Sequence, residues 1–184
     1  MNTGLISTRY ATALLDYAAD QGEQEKVYAE VKMLVRMFQQ VSRFGKVFED
    51  VSVRNSEKRK LIHTAAGGEI SHSMAQFVEL LLKNKRADRL YNICLRYLEL
   101  YRKKYSILRG TLTTATKVDK ATYDRLKAFI EHKSGETLEL ERTIDPDILG
   151  GFVLQIGDDR IDASVSGQLK RIKTDLTSKM RKSG

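Results

Sequence analysis

Apolar residues recur at helical spacing through residues 1–105, and the period changes only after Lys104. From about Gly4 to Ala19, Ile6, Tyr10, Ala13, Leu14 and Tyr17 share one face, the repeat of an amphipathic helix. A second helix is predicted on Val27, Val31, Leu34, Val35, Phe38 and Val41, then a short amphipathic piece on Phe44, Val47, Phe48 and Val51. Asn55 or Ser56 is placed to cap a helix bearing Leu61, Ile62 and Ala65, which Gly67-Gly68 stops. Ser71 caps a fifth helix with Met74, Phe77, Val78, Leu81 and Leu82 facing inward. Asn84-Lys85-Arg86 makes a corner, and a sixth helix carries Leu90, Ile93, Cys94, Tyr97, Leu98 and Tyr101. Five or six antiparallel helices with short connections predict a bundle.

The second part reads differently. Ile107 to Ala115 is Thr-rich and alternates, which suits a strand with one wet face. Asp119 is placed to cap a helix whose inner face is Thr122, Leu126, Phe129 and Ile130. Leu138 to Thr143 and Phe152 to Ile156 predict two more strands, with a brief return at Ile161. A last helix starts near Ser164 and aligns Val165, Leu169, Ile172, Leu176 and Met180. The expected fold is therefore mainly α with a small α/β part: a helical bundle over residues 1–105 and an α/β domain over 106–184. The backbone is most tightly specified between Leu138 and Val165. Pro146, the only proline, opens that segment's central turn, and Gly150-Gly151 follows it.

Charge is uneven. The net charge of +8 divides into 18 Lys/Arg against 12 Asp/Glu over 1–105, 8 against 11 over 106–163, and 6 against 1 over 164–184. A basic excess fits nucleic acid, an anionic lipid surface or an acidic protein partner, and charge alone does not choose. Cys94, the only cysteine, excludes an intrachain disulfide and reads as a buried structural thiol. No run approaches the length of a membrane span, and the start lacks the features of a signal or transit peptide. The expectation is a soluble protein of a reducing compartment.

No residue set points to catalysis, a cofactor or a metal. His63, His72 and His132 fall in different predicted elements without metal-ligand spacing. Gly150-Gly151 lacks the phosphate-loop context, because a strand follows rather than a helix. Asp145, Asp147, Asp158, Asp159 and Asp162 miss the calcium-loop spacing and read as turn formers. Lys170, Arg171, Lys173, Lys179, Arg181 and Lys182 give the last helix a basic back, suited to lipid, nucleic acid or an acidic partner helix. The first and fifth helices carry more apolar surface than one face buries, with Leu80, Leu81 and Leu82 in succession on the fifth. Either both sides are buried or an open groove awaits a helix.

Three separated motifs carry a family resemblance. They are Arg9-Tyr10-Ala11-Thr12-Ala13-Leu14, then Leu81-Leu82-Lys83-Asn84-Lys85-Arg86, then the run from Leu138 through Gly150-Gly151-Phe152 and Gly157 to Ile161-Asp162-Ala163-Ser164-Val165. In this order they resemble the δ subunit family of F-type ATP synthase, whose mitochondrial member is the oligomycin-sensitivity-conferring protein. Its structural signature falls on Gly150, Gly151, Gly157 and Asp162; Leu149 departs from it, being bulkier than expected before the glycine pair. The resemblance implies a six-helix bundle, a smaller α/β domain and a stator role without catalysis or cofactor, one copy per complex. It implies that the N-terminal helix of an α subunit docks on the first and fifth helices through Ile6, Tyr10, Ala13, Leu14, Phe77, Leu81 and Leu82. The C-terminal ends of the b subunits would meet the α/β domain, with Leu169, Ile172, Lys173 and Leu176 as the candidate surface. A bacterial form, peripheral on the cytoplasmic face of the plasma membrane, is expected. The alternative is a basic module for nucleic acid or an anionic membrane surface.

Overall fold

The computed structural model describes the backbone of residues 3–182 and the side chains of residues 4–173. The chain divides into two compact units, Met1–Tyr105 and Ser106–Gly184. The protein is mainly helical with one small mixed sheet.

Among the described residues, the first unit holds helices α1 (Thr3–Asp20), α2 (Gln24–Gln40), α3 (Phe44–Glu49), α4 (Asn55–Ala65), α5 (His72–Lys83) and α6 (Leu90–Lys104). Its interior is built around α6, which packs against α1 and α2. Leu90, Ile93, Cys94, Tyr97, Leu98 and Tyr101 are all buried, as their spacing predicts. Burial pushes the Cys94 thiol up to about 12, so it is inert packing. Tyr28 of α2 stacks on Tyr101 with centroids 4.0 Å apart, and Tyr105 packs on Tyr101 in turn, which fixes the end of α6.

The face of α1 is rotated from the sequence expectation. Ser7, Ala11, Leu14, Leu15 and Ala18 are buried; Ile6 and Tyr10 are half-buried, and Ala13 and Tyr17 are exposed. Ala11 and Ala18, both without accessible surface, let neighbouring backbones approach closely, and Leu14 and Leu15 fill the space between them. Val41 and Val51 also leave the core, Val51 being 96% exposed. At α4 the cap position is Arg54, which supplies no side-chain hydrogen bond, and Asn55 is the first helical residue rather than the cap. Gly67 and Gly68, both at positive φ, form the turn after α4 as expected.

The start of α5 is held from α2. Four successive backbone N–H groups would be orphaned there. Ser71 N donates to Glu30 Oε1 at 2.6 Å, His72 N to Glu23 Oε1 at 3.1 Å, Ser73 N to Glu23 Oε2 at 2.7 Å and Met74 N to Ser71 Oγ at 3.2 Å. Ser71 Oγ also donates to Glu30 Oε2 at 2.7 Å. Hydrogen bonds from Ser73 and His72 hold the Glu23 carboxyl below its ordinary value, whereas burial raises that of Glu30 despite its bonds to Ser71.

In the second unit, β1 (Ile107–Thr114) leads through α7 (Lys120–Ser134) to β2 (Thr137–Ile144), parallel to β1. The strands β3 (Phe152–Ile156) and β4 (Asp159–Asp162) form an antiparallel hairpin, giving the order β2-β1-β3-β4. The last helix is α8 (Val165–Lys182). Leu112, Leu138, Leu140 and Leu154 make a core against which Tyr123, Leu126 and Ile130 of α7 pack. Thr122 and Phe129 do not belong to that face: Phe129 is 61% exposed, and Tyr123 takes the inner position, donating its hydroxyl to the Leu140 carbonyl at 2.7 Å. Asp119 caps α7 as its position predicts, accepting from Thr122 N at 2.9 Å.

The glycine pair that leads into β3 lies against the start of α8. Gly151 lies at φ +72°, and a Cβ there would meet the Ala163 carbonyl oxygen at 2.2 Å. Val165 N donates to Gly150 O at 3.1 Å. Asp162 accepts from both Ser164 N, at 3.1 Å, and Ser164 Oγ, at 2.5 Å, and that hydroxyl accepts from Gly167 N at 3.0 Å to cap α8. Leu149 adopts φ +64°, a left-handed conformation that costs a non-glycine residue about 1–2 kcal/mol, with its side chain in solvent.

Replacing Gly151 by Ala is expected to destabilise the second unit by more than about 3 kcal/mol, since both conformation and space are refused. Gly157→Ala, where φ is +56° but space is open, should cost only about 1 kcal/mol; denaturant unfolding of the two variants checks the contrast. A second test concerns pH. Glu23, with its lowered folded value, contributes stability that is full above the ordinary 4.5 and is lost as pH falls through the folded value. Glu30, with a raised value, has the opposite sign. Glu23→Gln should therefore flatten the acid loss of stability below about pH 4.5, read from denaturant midpoints at stepped pH.

A candidate docking groove on the first and fifth helices

The helices α1 and α5 pack directly on one another. Two tethers set them antiparallel. Asn84 Nδ2, just after α5, donates to Tyr10 Oη at 3.0 Å, while Glu23, just after α1, accepts from the first N–H groups of α5. Successive turns of each helix place Ile6, Tyr10, Ala13 and Tyr17 along the outer edge of α1 and Leu80, one turn before Asn84, along the facing edge of α5. Leu80 is 47% exposed and Tyr17 37%. These exposed and half-buried apolar positions make up the candidate docking furrow of the first unit.

The seven residues expected to dock a helix separate into two layers. Ile6, Tyr10 and Ala13 reach the surface, whereas Leu14, Phe77 and Leu81 lie beneath as its floor, each at most 5% exposed. Leu82 turns to another side of α5, where it lines a separate cleft with Phe48 and Lys58. Leu80, part of the apolar run on the fifth helix that suggests a groove, is absent from those seven; its place one turn from the Tyr10–Asn84 bond is the signal that adds it.

At the α1 N-terminal end, the furrow meets a cleft of about 520 Å³ lined by Leu5, Ile6, Thr8, Arg9, Tyr10 and Arg86. Leu5 is 67% exposed there. The chemistry on offer is an apolar channel with cations on its rim, suited to an amphipathic helix rather than to any bond-making step. Among the described residues no group of three or more His, Cys, Asp or Glu is placed to hold a metal ion, and His63, His72 and His132 lie apart on α4, α5 and α7.

The second candidate surface is α8. Val165, Leu169 and Ile172 are 42%, 53% and 56% exposed, so the apolar stripe is uncovered, with Lys173 exposed beside it. The side chain of Leu176 lies outside the described residues. The signature residues Gly150, Gly151, Gly157 and Asp162 serve the turn, the β3–β4 hairpin and the α8 cap.

Residues 6–176 match the family model described as ATP synthase delta (OSCP) subunit. The chain is 42% identical to the ATP synthase subunit delta of Bacteroides fragilis, covering 99% of both chains. It is 37% identical to that of Phocaeicola vulgatus at the same coverage, and 29% identical to that of Clostridioides difficile over 94% of this chain and 96% of the other. Its fold is similar to a chain of the Toxoplasma gondii mitochondrial ATP synthase hexamer, with a TM-score of 0.64 at 20% identity, covering 93% of this chain and 97% of that one. A family match over residues 6–176, with 42% identity to a relative along nearly the whole length of both chains, leaves one conclusion: the chain belongs to the ATP synthase delta (OSCP) subunit family.

Proposed function

We propose that this protein is the non-catalytic stator subunit of an F-type ATP synthase, joining the catalytic head to the b-subunit peripheral stalk. The family match over residues 6–176 carries the reading. In it, residues 1–105 act as a six-helix bundle that captures the N-terminal helix of an α subunit in the α1–α5 furrow. Residues 106–184 meet the C-terminal ends of the b subunits, with Leu169, Ile172, Lys173 and Leu176 in the contact. One copy sits peripherally on the cytoplasmic face of a bacterial plasma membrane; no helix among the described residues is long and apolar enough to cross it. The reading as a basic nucleic-acid or lipid-surface module is not supported by these relatives.

The mechanism is mechanical. A rotor turning inside the head drags the head with it unless a static element resists, so the adaptor must hold both partners under load. An apolar furrow gives affinity that depends little on salt, because burial of apolar surface is insensitive to screening. Its surface lining, Ile6, Tyr10, Ala13, Tyr17 and Leu80, is apolar area awaiting a partner. Phe77, by contrast, supports the furrow from within, so Phe77→Asp would unfold the unit rather than report on docking.

Calorimetric titration with a peptide of the same organism's α-subunit N-terminus should give tight one-to-one binding that survives high salt. Leu80→Asp should weaken it about 30-fold, equivalent to about 2 kcal/mol, with an unchanged circular-dichroism melt. An absence of binding to the folded chain would remove the docking reading.

A further inference from the structure

The furrow is apolar along its length but not neutral at its end. Arg9 and Arg86, from α1 and from the corner after α5, line the same cleft, and both side chains are exposed. Neither makes an ion pair among the described residues. Five acidic side chains of this unit are engaged elsewhere: Asp16 with Lys104, Asp88 with Arg89, Glu79 with Arg59, and Glu23 and Glu30 with the start of α5. Lys83 and Lys85, exposed in the same corner, add to the positive field.

We infer that the helix seated in the furrow presents a carboxylate to Arg9 and Arg86, which together read the charge at one end of the partner. The inference rests on the docking reading given above. Two guanidinium groups beside an apolar floor of Leu5, Ile6 and Tyr10 match a helix that offers apolar side chains and an acidic one in the same turn. The planar fork of each Arg donates in pairs to a carboxylate, whereas the Tyr10–Asn84 bond already uses the neighbouring polar groups. Apolar contact sets the affinity and the arginines set which end of the helix lies where.

The test titrates the full chain with the α-subunit N-terminal peptide and with the same peptide carrying Asn and Gln in place of every Asp and Glu. The wild-type chain should bind the neutral peptide about tenfold more weakly at low salt, the gap narrowing at high salt as exposed charges are screened. The double variant Arg9→Gln/Arg86→Gln should bind the two peptides equally, and Arg9→Glu/Arg86→Glu should prefer a peptide with Lys at the acidic positions. Equal binding of both peptides by the wild-type chain overturns the inference and leaves the docking reading intact. Retained discrimination in the folded Gln variant does the same. A failure of the acidic peptide to bind at all overturns both.

Discussion

The arrangement of the first unit depends on how α5 begins. Its leading N–H groups carry the positive end of a helix dipole and would be costly to bury unmet. Two carboxylates from the start and first turns of α2, together with the Ser71 hydroxyl, satisfy all four. Because Glu30 is buried and Glu23 is partly open to solvent, the two carboxyls of the clamp shift in opposite directions, Glu30 upward through burial and Glu23 downward through its hydrogen bonds from Ser73 and His72. It sets the starting point of α5 relative to α1, and the Tyr10–Asn84 bond fixes the far end. The furrow between the helices is the consequence of those two tethers.

The second unit has its own constraint, in which backbone and cap are coupled. Gly151 lets β3 pass against the Ala163 carbonyl, Val165 N closes onto Gly150 O, and Asp162 orients the serine that caps α8. The hydroxyl and N–H of Ser164 hold the Asp162 carboxyl below its ordinary range, keeping it an ionised acceptor. This geometry starts a helix whose apolar stripe, Val165, Leu169 and Ile172, is left on the surface.

Much of this was legible from local sequence. The order and type of the elements, the Ser71 and Asp119 caps, the buried series on α6 and the glycine turn all follow from interactions within a few residues. They rest on backbone hydrogen bonding and side-chain spacing, which a neighbour in sequence can satisfy. The glycine signature was legible for the same reason, since φ > 0 and a close carbonyl leave no choice of side chain.

What the sequence did not determine was which way each amphipathic surface faces. On α1 the predicted face holds only at Leu14: Ala11, Leu15 and Ala18 join it in the core, while Ile6 and Tyr10 are half-buried and Ala13 and Tyr17 are exposed. Phe129 likewise loses its inner place to Tyr123, whose hydroxyl finds a carbonyl on β2. The reach of Glu23 and Glu30 to a helix more than forty residues away has no local signature. Sequence alone thus determined the order and type of the elements, the Ser71 and Asp119 caps and the glycine-bound turn, through short-range bonds, but not the cap of α4. Only the tertiary structure decided which apolar residues are core and which stay exposed, because that choice depends on the shape and polar partners of distant segments.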